Sequence, residues 1–354
     1  MRIGIVGAGA VGGLLGVKLS LVGETVTFID IGAHLHTLNE RGIRLLDTDG
    51  VEHVVCPVNA TASFAEAGPQ DLVILAVKAY DLLDVAQKMQ PMLTPDTIVL
   101  PVQNGIPWWY FHGHGGKYQG RIIETVDPGG MIARNIETER VIGCVVYPAA
   151  AIVAPGVVKH VEGNRMALGE LDGSDTGRIR QISELLNRAG FKTHVLQDIR
   201  SEIWLKLIGN LAFNHICALT HATMVDVCRF PPTRELATRL MEEAQVVANR
   251  LGITLRLPIE KRLEGAEKVG KHKPSTLQDV EAGRRLELAA IIGSVVELGR
   301  LTETPTPHTD TVYALARLLD ETLRSTDTAL RQMPIQHHPD IGGGDDNELR
   351  HVAS

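Results

Sequence analysis

Cysteines, long apolar runs and basic clusters are all scarce in this sequence of 354 residues, and each scarcity excludes a class of protein. The four cysteines, at positions 56, 144, 217 and 228, form no C-x-x-C pair, so we expect neither a disulfide framework nor a metal site. No apolar run reaches the ~18 residues that span a bilayer. The formal net charge is −7 without a basic cluster, which argues against nucleic acid and membranes as partners.

The composition is that of an ordinary soluble globular chain, with 44% hydrophobic and 22% charged residues, and the length suits about two domains. Met1 leads directly into an apolar run, so we expect no signal peptide and a cytoplasmic protein. His112 and His114 lie in the stretch FHGHGG without a nearby cysteine or carboxylate, which favours a surface loop over a metal site. Residues 331–354 lack apolar periodicity and are predicted to form a disordered tail.

The first twelve residues, MRIGIVGAGAVG, carry the strongest signal that is present. An apolar run over 2–6 predicts a buried strand, and helical spacing of apolar residues follows the G-x-G-x-x-G of Gly7, Gly9 and Gly12. Such a strand, turn and helix holds a dinucleotide pyrophosphate at the helix N-terminus. The alternative is a glycine turn in another kind of α/β protein. The loop residues expected to bind a cofactor are Gly7, Ala8, Gly9, Ala10, Val11 and Gly12.

Asp30 follows a second predicted strand, 25–29, about 20 residues after the glycines, where a ribose-binding carboxylate is expected. No Arg or Lys occurs in residues 31–33. A carboxylate accepts hydrogen bonds from a 2′-hydroxyl and repels a 2′-phosphate. The sequence therefore favours NAD(H) over NADP(H).

Strands and helices alternate in the first half of the chain, which predicts a mostly parallel sheet covered by helices. Further strands are predicted in the same sheet, partly antiparallel, together with a helix over 176–189. The predicted strands are 2–6, 25–29, 72–77, 97–102, 141–153, 156–162, 165–170 and 191–196, and the predicted early helices are 10–22 and 81–90.

From Asp198 onward the pattern is helical, with breaks at prolines. The expected fold is α/β, with a Rossmann-like dinucleotide-binding domain over residues 1–197 and an all-α domain over residues 198–330. The predicted helices of that second domain are 199–219, 233–251, 276–299 and 309–323.

Polar residues at three places could meet at the carboxyl edge of the sheet, where open α/β sheets bind ligands. Lys78 and Asn104 each follow a predicted strand, although alone they would indicate a surface lysine and a turn. Lys206, Asn210 and Asn214 recur every four positions in an otherwise apolar helix, within roughly an 80° sector. Such a stripe either faces solvent or faces a polar ligand in a cleft.

Two residues of the last third have strong structural interpretations. Ser275 opens the pattern Ser-x-x-Gln, which is typical of a capping box. Glu287 is expected to continue that helix as an ordinary surface carboxylate.

Taken together, these motifs resemble the ketopantoate reductase (2-dehydropantoate 2-reductase) family over about residues 1–325. Members make pantoate for pantothenate synthesis. The resemblance rests on the glycine loop, Lys78, Gln103-Asn104-Gly105, the Lys206/Asn210/Asn214 helix, and Ser275, Asp279 and Glu287. It implies that Lys206 is the general acid and Glu287 a substrate-binding carboxylate of the catalytic pair. It further implies that Lys78 and Asn104 contact the cofactor, and that Asn104, Asn210, Asn214 and Ser275 hold a 2-oxo acid substrate.

The chain departs from the family pattern around the substrate. It has Met224 and His272 where members often have asparagine, and Leu286-Glu287-Leu288-Ala289 where they tend to have Thr-Glu-Ile-Asp. Members that use NADPH tend to carry a basic residue after the second strand, which leaves NADP(H) open by resemblance although Asp30 favours NAD(H). The alternatives are a sister NAD-dependent dehydrogenase of another hydroxy acid and a non-catalytic NAD(P)-sensing protein. The long helices of the second domain could form a homodimer.

Overall fold

The computed structural model describes residues 1–325, and the predicted disordered tail lies outside the described residues. Twelve strands occur in this part of the chain, and most are four to six residues long. In chain order they are β1 (Arg2–Val6), β2 (Thr25–Ile29), β3 (Ile43–Leu46), β4 (Glu52–Val55), β5 (Asn59–Thr61), β6 (Leu72–Leu75), β7 (Ile98–Pro101), β8 (Gly143–Val146), β9 (Ala149–Ala154), β10 (Val157–Glu162), β11 (Arg165–Gly169) and β12 (Lys192–Val195).

Helices cover the sheets and form nearly all of the regular structure after residue 198. The α-helices within residues 1–325 are α1 (Ala10–Leu21), α2 (Gly32–Arg41), α3 (Phe64–Ala67), α4 (Leu82–Lys88), α5 (Met131–Asn135), α6 (Gly177–Arg188), α7 (Ile199–Thr220), α8 (Met224–Arg229), α9 (Pro231–Arg250), α10 (Ile259–Val269), α11 (Ser275–Glu281), α12 (Ser294–Leu301) and α13 (Pro307–Ser325). None of the helices in this described part is long and apolar enough to cross a bilayer.

The main sheet is parallel, with strand order β5-β2-β1-β6-β7. Every residue of β6 and β7 is buried, as expected for strands covered by helices on both faces. Strand β1 lies at the centre of the sheet, and the chain continues to β2 on one side of it and later to β6 on the other. At such a change of direction the carboxyl ends of the two central strands, β1 and β6, face a crevice. This arrangement confirms the predicted Rossmann-like sheet.

The prediction that all later strands extend this sheet is wrong. The segment just before β8 forms an isolated bridge to β7, between Val141 and Val99, but β8 itself pairs with β11, which in turn pairs with β12, in a separate three-stranded sheet. Strands β9 and β10 instead join β3 and β4 in a four-stranded sheet. Pro148, which cannot donate to a strand ladder, separates β8 from β9, and the chain changes sheets there.

The predicted continuous helix over 276–299 is also wrong. Helix α11 ends at Glu281, and Gly283 has φ +61°, a left-handed conformation that glycine adopts without strain. The chain then runs irregularly to Glu287 before a π-helical turn, Ala289–Gly293, leads into α12. Glu287 is therefore not part of the helix that begins at Ser275, and it is buried rather than on the surface.

The predicted capping role of Ser275 is wrong as well. Pro274 occupies the N-cap position, and Ser275 is the first residue of α11 with an exposed side chain. Gln278 donates its side-chain amide to the carbonyl of Lys273 instead of closing a capping box. The hydroxyl of Ser275 thus remains available at the helix start.

Candidate active site

The glycine loop joins β1 to α1 through a turn that tolerates few side chains. Gly7 has φ +93°, and a Cβ there would lie 2.9 Å from the backbone nitrogen of Val77. A Cβ on Gly12 would lie 1.9 Å from the carbonyl oxygen of Gly7, so the first turn of the helix closes directly on the loop. A Cβ on Gly9 would meet no atom within 4 Å, which leaves the backbone open on that side.

This open side fits a dinucleotide. The first amides of α1, at Ala10 and Val11, have no intrahelical acceptor by the geometry of a helix start, and they carry the positive end of the helix dipole. Ala8 differs from its neighbours, because it is fully buried, donates its amide to Asp30 and accepts a hydrogen bond at its carbonyl from His34. Ala8 therefore shapes the loop, while Gly9 and the residues after it offer free amides.

Asp30 lies at the end of β2 against the glycine loop. Its Oδ2 accepts the amide of Ala8 at 2.8 Å, and its Oδ1 accepts the amide of Ile31 at 2.7 Å. Each carboxylate oxygen can accept a second hydrogen bond. The carboxylate is thus held at the loop by two backbone amides and keeps capacity for a ligand hydroxyl.

Two strand ends are tied together at the edge of the sheet. Gln103, just after β7, donates its side-chain amide to the carbonyls of Leu75 and Val77 at 2.9 and 3.2 Å. Gly105 has φ +92°, and a Cβ there would lie 2.2 Å from the carbonyl oxygen of Ala290. The turn after β7 is therefore pressed against the segment that follows Glu287.

Helix α7 carries the predicted polar stripe along an otherwise buried helix. Asp198 caps its N-terminus by accepting the amide of Ser201 at 3.0 Å. Lys206 donates from Nζ to Asn104 Oδ1 at 2.7 Å and to the carbonyl of Val146. The structure thus joins Lys206, from the helical part, to the turn after β7, from the nucleotide-binding part.

The surroundings of Lys206 favour a readily lost proton. Burial lowers the pKa of its ammonium from 10.5 to about 8, while Cys144 and Glu287 act in the opposite direction. Its two acceptors, Asn104 and Val146, are uncharged. A lysine of this kind can give up its proton near neutral pH, as a general acid must.

Glu287 is held in an ion cluster with Lys78 and Asp279. Lys78 Nζ donates to Asp279 Oδ2 and to Glu287 Oε2, both at 2.9 Å, and the amide of Ala79 donates to Glu287 Oε1 at 3.1 Å. Burial opposes the charge of Lys78, but the two carboxylates hold its pKa above the usual range. The cluster spans about 200 residues of sequence and joins the end of β6 to α11 and the segment after it.

The two amides of the stripe have no side-chain partner within residues 1–325. Asn210 is half-buried and Asn214 is 4% exposed, and neither side chain forms a hydrogen bond with another residue in the range 1–325. Each amide therefore keeps its hydrogen-bonding capacity for a polar ligand. Ser275, exposed at the start of α11, likewise has no side-chain partner in this part of the chain.

Two residues near Lys206 were missed by the sequence reasoning. Glu202, 3% exposed, lies one turn before Lys206 on the same stripe and accepts the hydroxyl of Tyr147 at 2.7 Å. The four-residue spacing could have revealed Glu202. No local sequence signal marks Tyr147, because its place depends on how the chain leaves β8.

The chain resembles proteins of one family over most of its length. The family models described as "Ketopantoate reductase PanE/ApbA" and "Ketopantoate reductase PanE/ApbA C terminal" match residues 3–173 and 198–320. A 2-dehydropantoate 2-reductase of Mesorhizobium japonicum is 46% identical over 320 residues, which cover 90% of this chain and 98% of that protein.

Solved structures agree with the family models. A crystal structure from Ralstonia solanacearum MolK2, described as a candidate ketopantoate reductase, has a TM-score of 0.87 at 40% identity and covers 91% of this chain and 98% of that one. The 2-dehydropantoate 2-reductase of Geobacter metallireducens GS-15 has a TM-score of 0.79 at 27% identity, covering 90% of this chain and 99% of that one. The similarity therefore extends through both halves of the chain.

Proposed function

The chain belongs to the ketopantoate reductase family, and we propose that it reduces 2-dehydropantoate, or a closely related 2-oxo acid, with Lys206 as general acid. As a member of that family it is a nicotinamide-dependent 2-oxo acid reductase. The observation that carries the proposal is the buried Lys206 ammonium, directed at Asn104 on the sheet edge. Neither the substrate nor the role of Lys206 follows from family membership alone.

The cofactor would lie along the sheet edge, with its pyrophosphate at the open side of Gly9 and its nicotinamide near Asn104. When bound, it supplies the hydride that reduces the ketone carbon. The residues of the chain then have two tasks. Lys206 stabilises the charge that develops on the ketone oxygen and donates the proton, an effect typically worth 10²–10⁴-fold. Asn210 and Asn214 orient the substrate through hydrogen bonds from the same helix face.

Glu287 and Ser275 are proposed to bind the rest of the substrate. The Glu287 carboxylate is fixed by Lys78 and Ala79, so it can accept a hydrogen bond from a substrate hydroxyl without moving. Met224, which replaces a frequent family asparagine, is partly buried against the core at the start of α8. The family resemblance places this position near the substrate, and an apolar side chain there favours a close relative of 2-dehydropantoate as an alternative substrate.

The experiment that tests Lys206 is steady-state kinetics with 2-dehydropantoate and a panel of 2-oxo acids. Lys206→Ala should lower kcat by at least ~10²-fold with unchanged NAD(P)H affinity, and Asn210→Ala should mainly raise KM. Lys192→Ala, which removes an exposed lysine of β12, is the matched control. Turnover of Lys206→Ala within a few-fold of the parent protein would exclude Lys206 as the acid.

We further propose that the cofactor is NAD(H). The supporting observation is the Asp30 carboxylate at the glycine loop, followed by the exposed Ile31 and no lysine or arginine up to residue 33. The kcat/KM measured with NADH should be higher than that measured with NADPH. The difference between the two values should be smaller in Asp30→Ala. Asp96→Ala, at an exposed aspartate after α4, should leave this difference unchanged. A clear preference of the parent protein for NADPH would refute the assignment.

Three expectations from the sequence stay predictions. A domain boundary near residue 197 and a cytoplasmic location are two of them. The third is a homodimer, for which α13 offers exposed apolar side chains at Leu315 and Leu318. Sedimentation equilibrium should then give twice the chain mass of 38.4 kDa.

A further inference from the structure

Tyr147 lies directly against the Lys206 ammonium. It follows Val146, whose backbone carbonyl accepts a hydrogen bond from Lys206 Nζ. The centre of the Tyr147 ring is 5.7 Å from the same nitrogen. Two consecutive residues at the end of β8 thus contact one ammonium, the first through its carbonyl and the second through its ring.

Two further contacts hold the Tyr147 ring in this position. Its hydroxyl donates to Glu202 Oε1 at 2.7 Å, and the guanidinium carbon of Arg165 lies 4.8 Å from the ring centre. Arg165 also donates to Glu202. Because Glu202 precedes Lys206 by one turn of α7, the ring is anchored to the same helix that presents the lysine.

Tyr147 stays neutral in this setting. Burial, and after it the hydrogen bond to Glu202, raise the pKa of its phenol above the usual range. A neutral aromatic ring attracts a cation through its quadrupole, and the attraction is strongest where the cation has lost its water. Lys206 is such a cation, since its hydrogen-bond acceptors are the neutral oxygens of Asn104 and Val146.

We propose that Tyr147 is a positioning residue that stabilises the protonated form of Lys206 and keeps its ammonium directed at the sheet edge. The titratable groups that also influence the pKa of Lys206 are the Cys144 thiol on β8 and the Glu287 carboxylate beyond α11. Burial raises the pKa of Cys144 to about 12, so the thiol is neutral near pH 8. Glu287 is paired with Lys78 and still raises the pKa of Lys206, and the ring adds a second contribution that opposes the effect of burial.

The lysine pKa tests the role of the ring directly. The kinetic consequence rests in addition on the proposed function of Lys206 as general acid, so it is measured separately. The pKa of Lys206 is measured by NMR of protein with isotopically labelled lysine, and its signal is assigned by its loss in Lys206→Ala. Tyr147→Leu should lower that pKa by about half to one unit. Tyr147→Phe keeps the ring and should leave the value near that of the parent. Tyr118→Phe, at a ring that contacts Lys117, is the matched control.

Kinetics of the same variants provide the second readout. In Tyr147→Leu, the alkaline limb of the kcat/KM profile for 2-oxo acid reduction should shift to lower pH, by the same amount as the lysine pKa. An unchanged lysine pKa in Tyr147→Leu, or an equal change in Tyr147→Phe, would overturn the role of the ring. A lowered lysine pKa with an unmoved alkaline limb would support the ring and refute Lys206 as the acid. Tyr147→Met replaces the leucine variant if the latter does not fold.

Discussion

At the scale of single residues, the burial of Lys206 makes activity depend on pH in a defined direction. Its pKa is lowered from 10.5 to about 8, and a general acid must be protonated. We expect kcat/KM for reduction to be level below about pH 7 and to fall about tenfold per pH unit well above 8. Profiles measured from pH 6 to 10 test this. A profile without a break between pH 7 and 9 would contradict it.

The same burial should affect stability. In the unfolded chain Lys206 holds its proton up to about pH 10.5, whereas in the folded chain it does so only to about pH 8. The charge therefore costs stability below pH 8, and this cost disappears as the pH rises from 8 to 10.5. Lys206→Met should be as stable as the parent or up to about 2 kcal/mol more stable at pH 7. Urea denaturation should show a smaller stability difference between Lys206→Met and the parent at pH 10 than at pH 7. A Lys206→Met variant that is less stable than the parent at pH 7 would contradict the prediction.

Lys78 should contribute to stability as well as to the site. Lys78→Met leaves the buried Glu287 carboxylate with only the amide of Ala79, while Asp279 keeps Arg284 as a partner. We expect a loss of about 1–3 kcal/mol, since Lys78 itself is partly exposed.

Adding Glu287→Gln to Lys78→Met should restore part of that loss, because the unpaired buried charge disappears. Lys88→Met removes an exposed lysine paired with Asp84, and it should change stability by less than about 0.5 kcal/mol. The prediction fails if Lys78→Met is as stable as this control.

At the scale of elements, Gly9 and Gly12 have different roles in the strand, turn and helix that open the chain. Gly12→Ala places a methyl group 1.9 Å from a backbone oxygen and should prevent correct folding. A Cβ at position 9 meets no protein atom within 4 Å, so we expect Gly9→Ala, and Gly9→Val as well, to fold. Gly9→Val should nevertheless abolish NAD(P)H binding, because its side chain fills the space beside the pyrophosphate. Fluorescence titration and circular dichroism test both statements, and unchanged affinity in Gly9→Val would refute the second.

The sequence predicts best those strands and helices whose apolar residues form one continuous run or recur at one regular spacing. The predicted bounds of strands β1 and β2 and of helix α7 agree with the structure to within about one residue, because the strands are short runs rich in β-branched residues and the helix has a regular apolar period. Strands β3, β4 and β5 were missed because they have three or four residues each and are only partly buried.

In the candidate site too, local patterns are predictable from the sequence and long-range contacts are not. The spacing of Lys206, Asn210 and Asn214 reveals a common helix face from sequence alone. The contacts of Glu287 with Lys78 and of Tyr147 with Lys206 depend on long-range folding, and in the first case on a chain reversal at Gly283. The apolar composition of residues 286–299 favours a helix, and most of them are helical, but the left-handed turn at Gly283 separates them from α11.

At the scale of the whole molecule, the nucleotide-binding and helical parts share one of the two hydrophobic cores found within residues 1–325, and the other lies within the nucleotide-binding part. Val73 of β6, Trp108, Trp204 of α7 and Val312 of α13 belong to the same cluster of buried residues. Trp204, which is fully buried, donates from Nε1 to the hydroxyl of Tyr110 at 2.7 Å. The boundary predicted near residue 197 thus divides the sequence without dividing the core.

Arg200 strengthens this connection, and together the contacts predict how the protein unfolds. Its buried guanidinium donates to the carbonyls of Tyr110 and Leu171, each at 2.8 Å, and to that of His112. A chain whose two parts share a core should unfold in one cooperative step. Calorimetry should therefore show a single transition, and NADH should raise its midpoint as a whole because the ligand binds only the folded state. Residues 1–197 expressed alone should not fold stably. Two separate transitions, with only one responding to NADH, would show that the two parts fold independently despite their shared core.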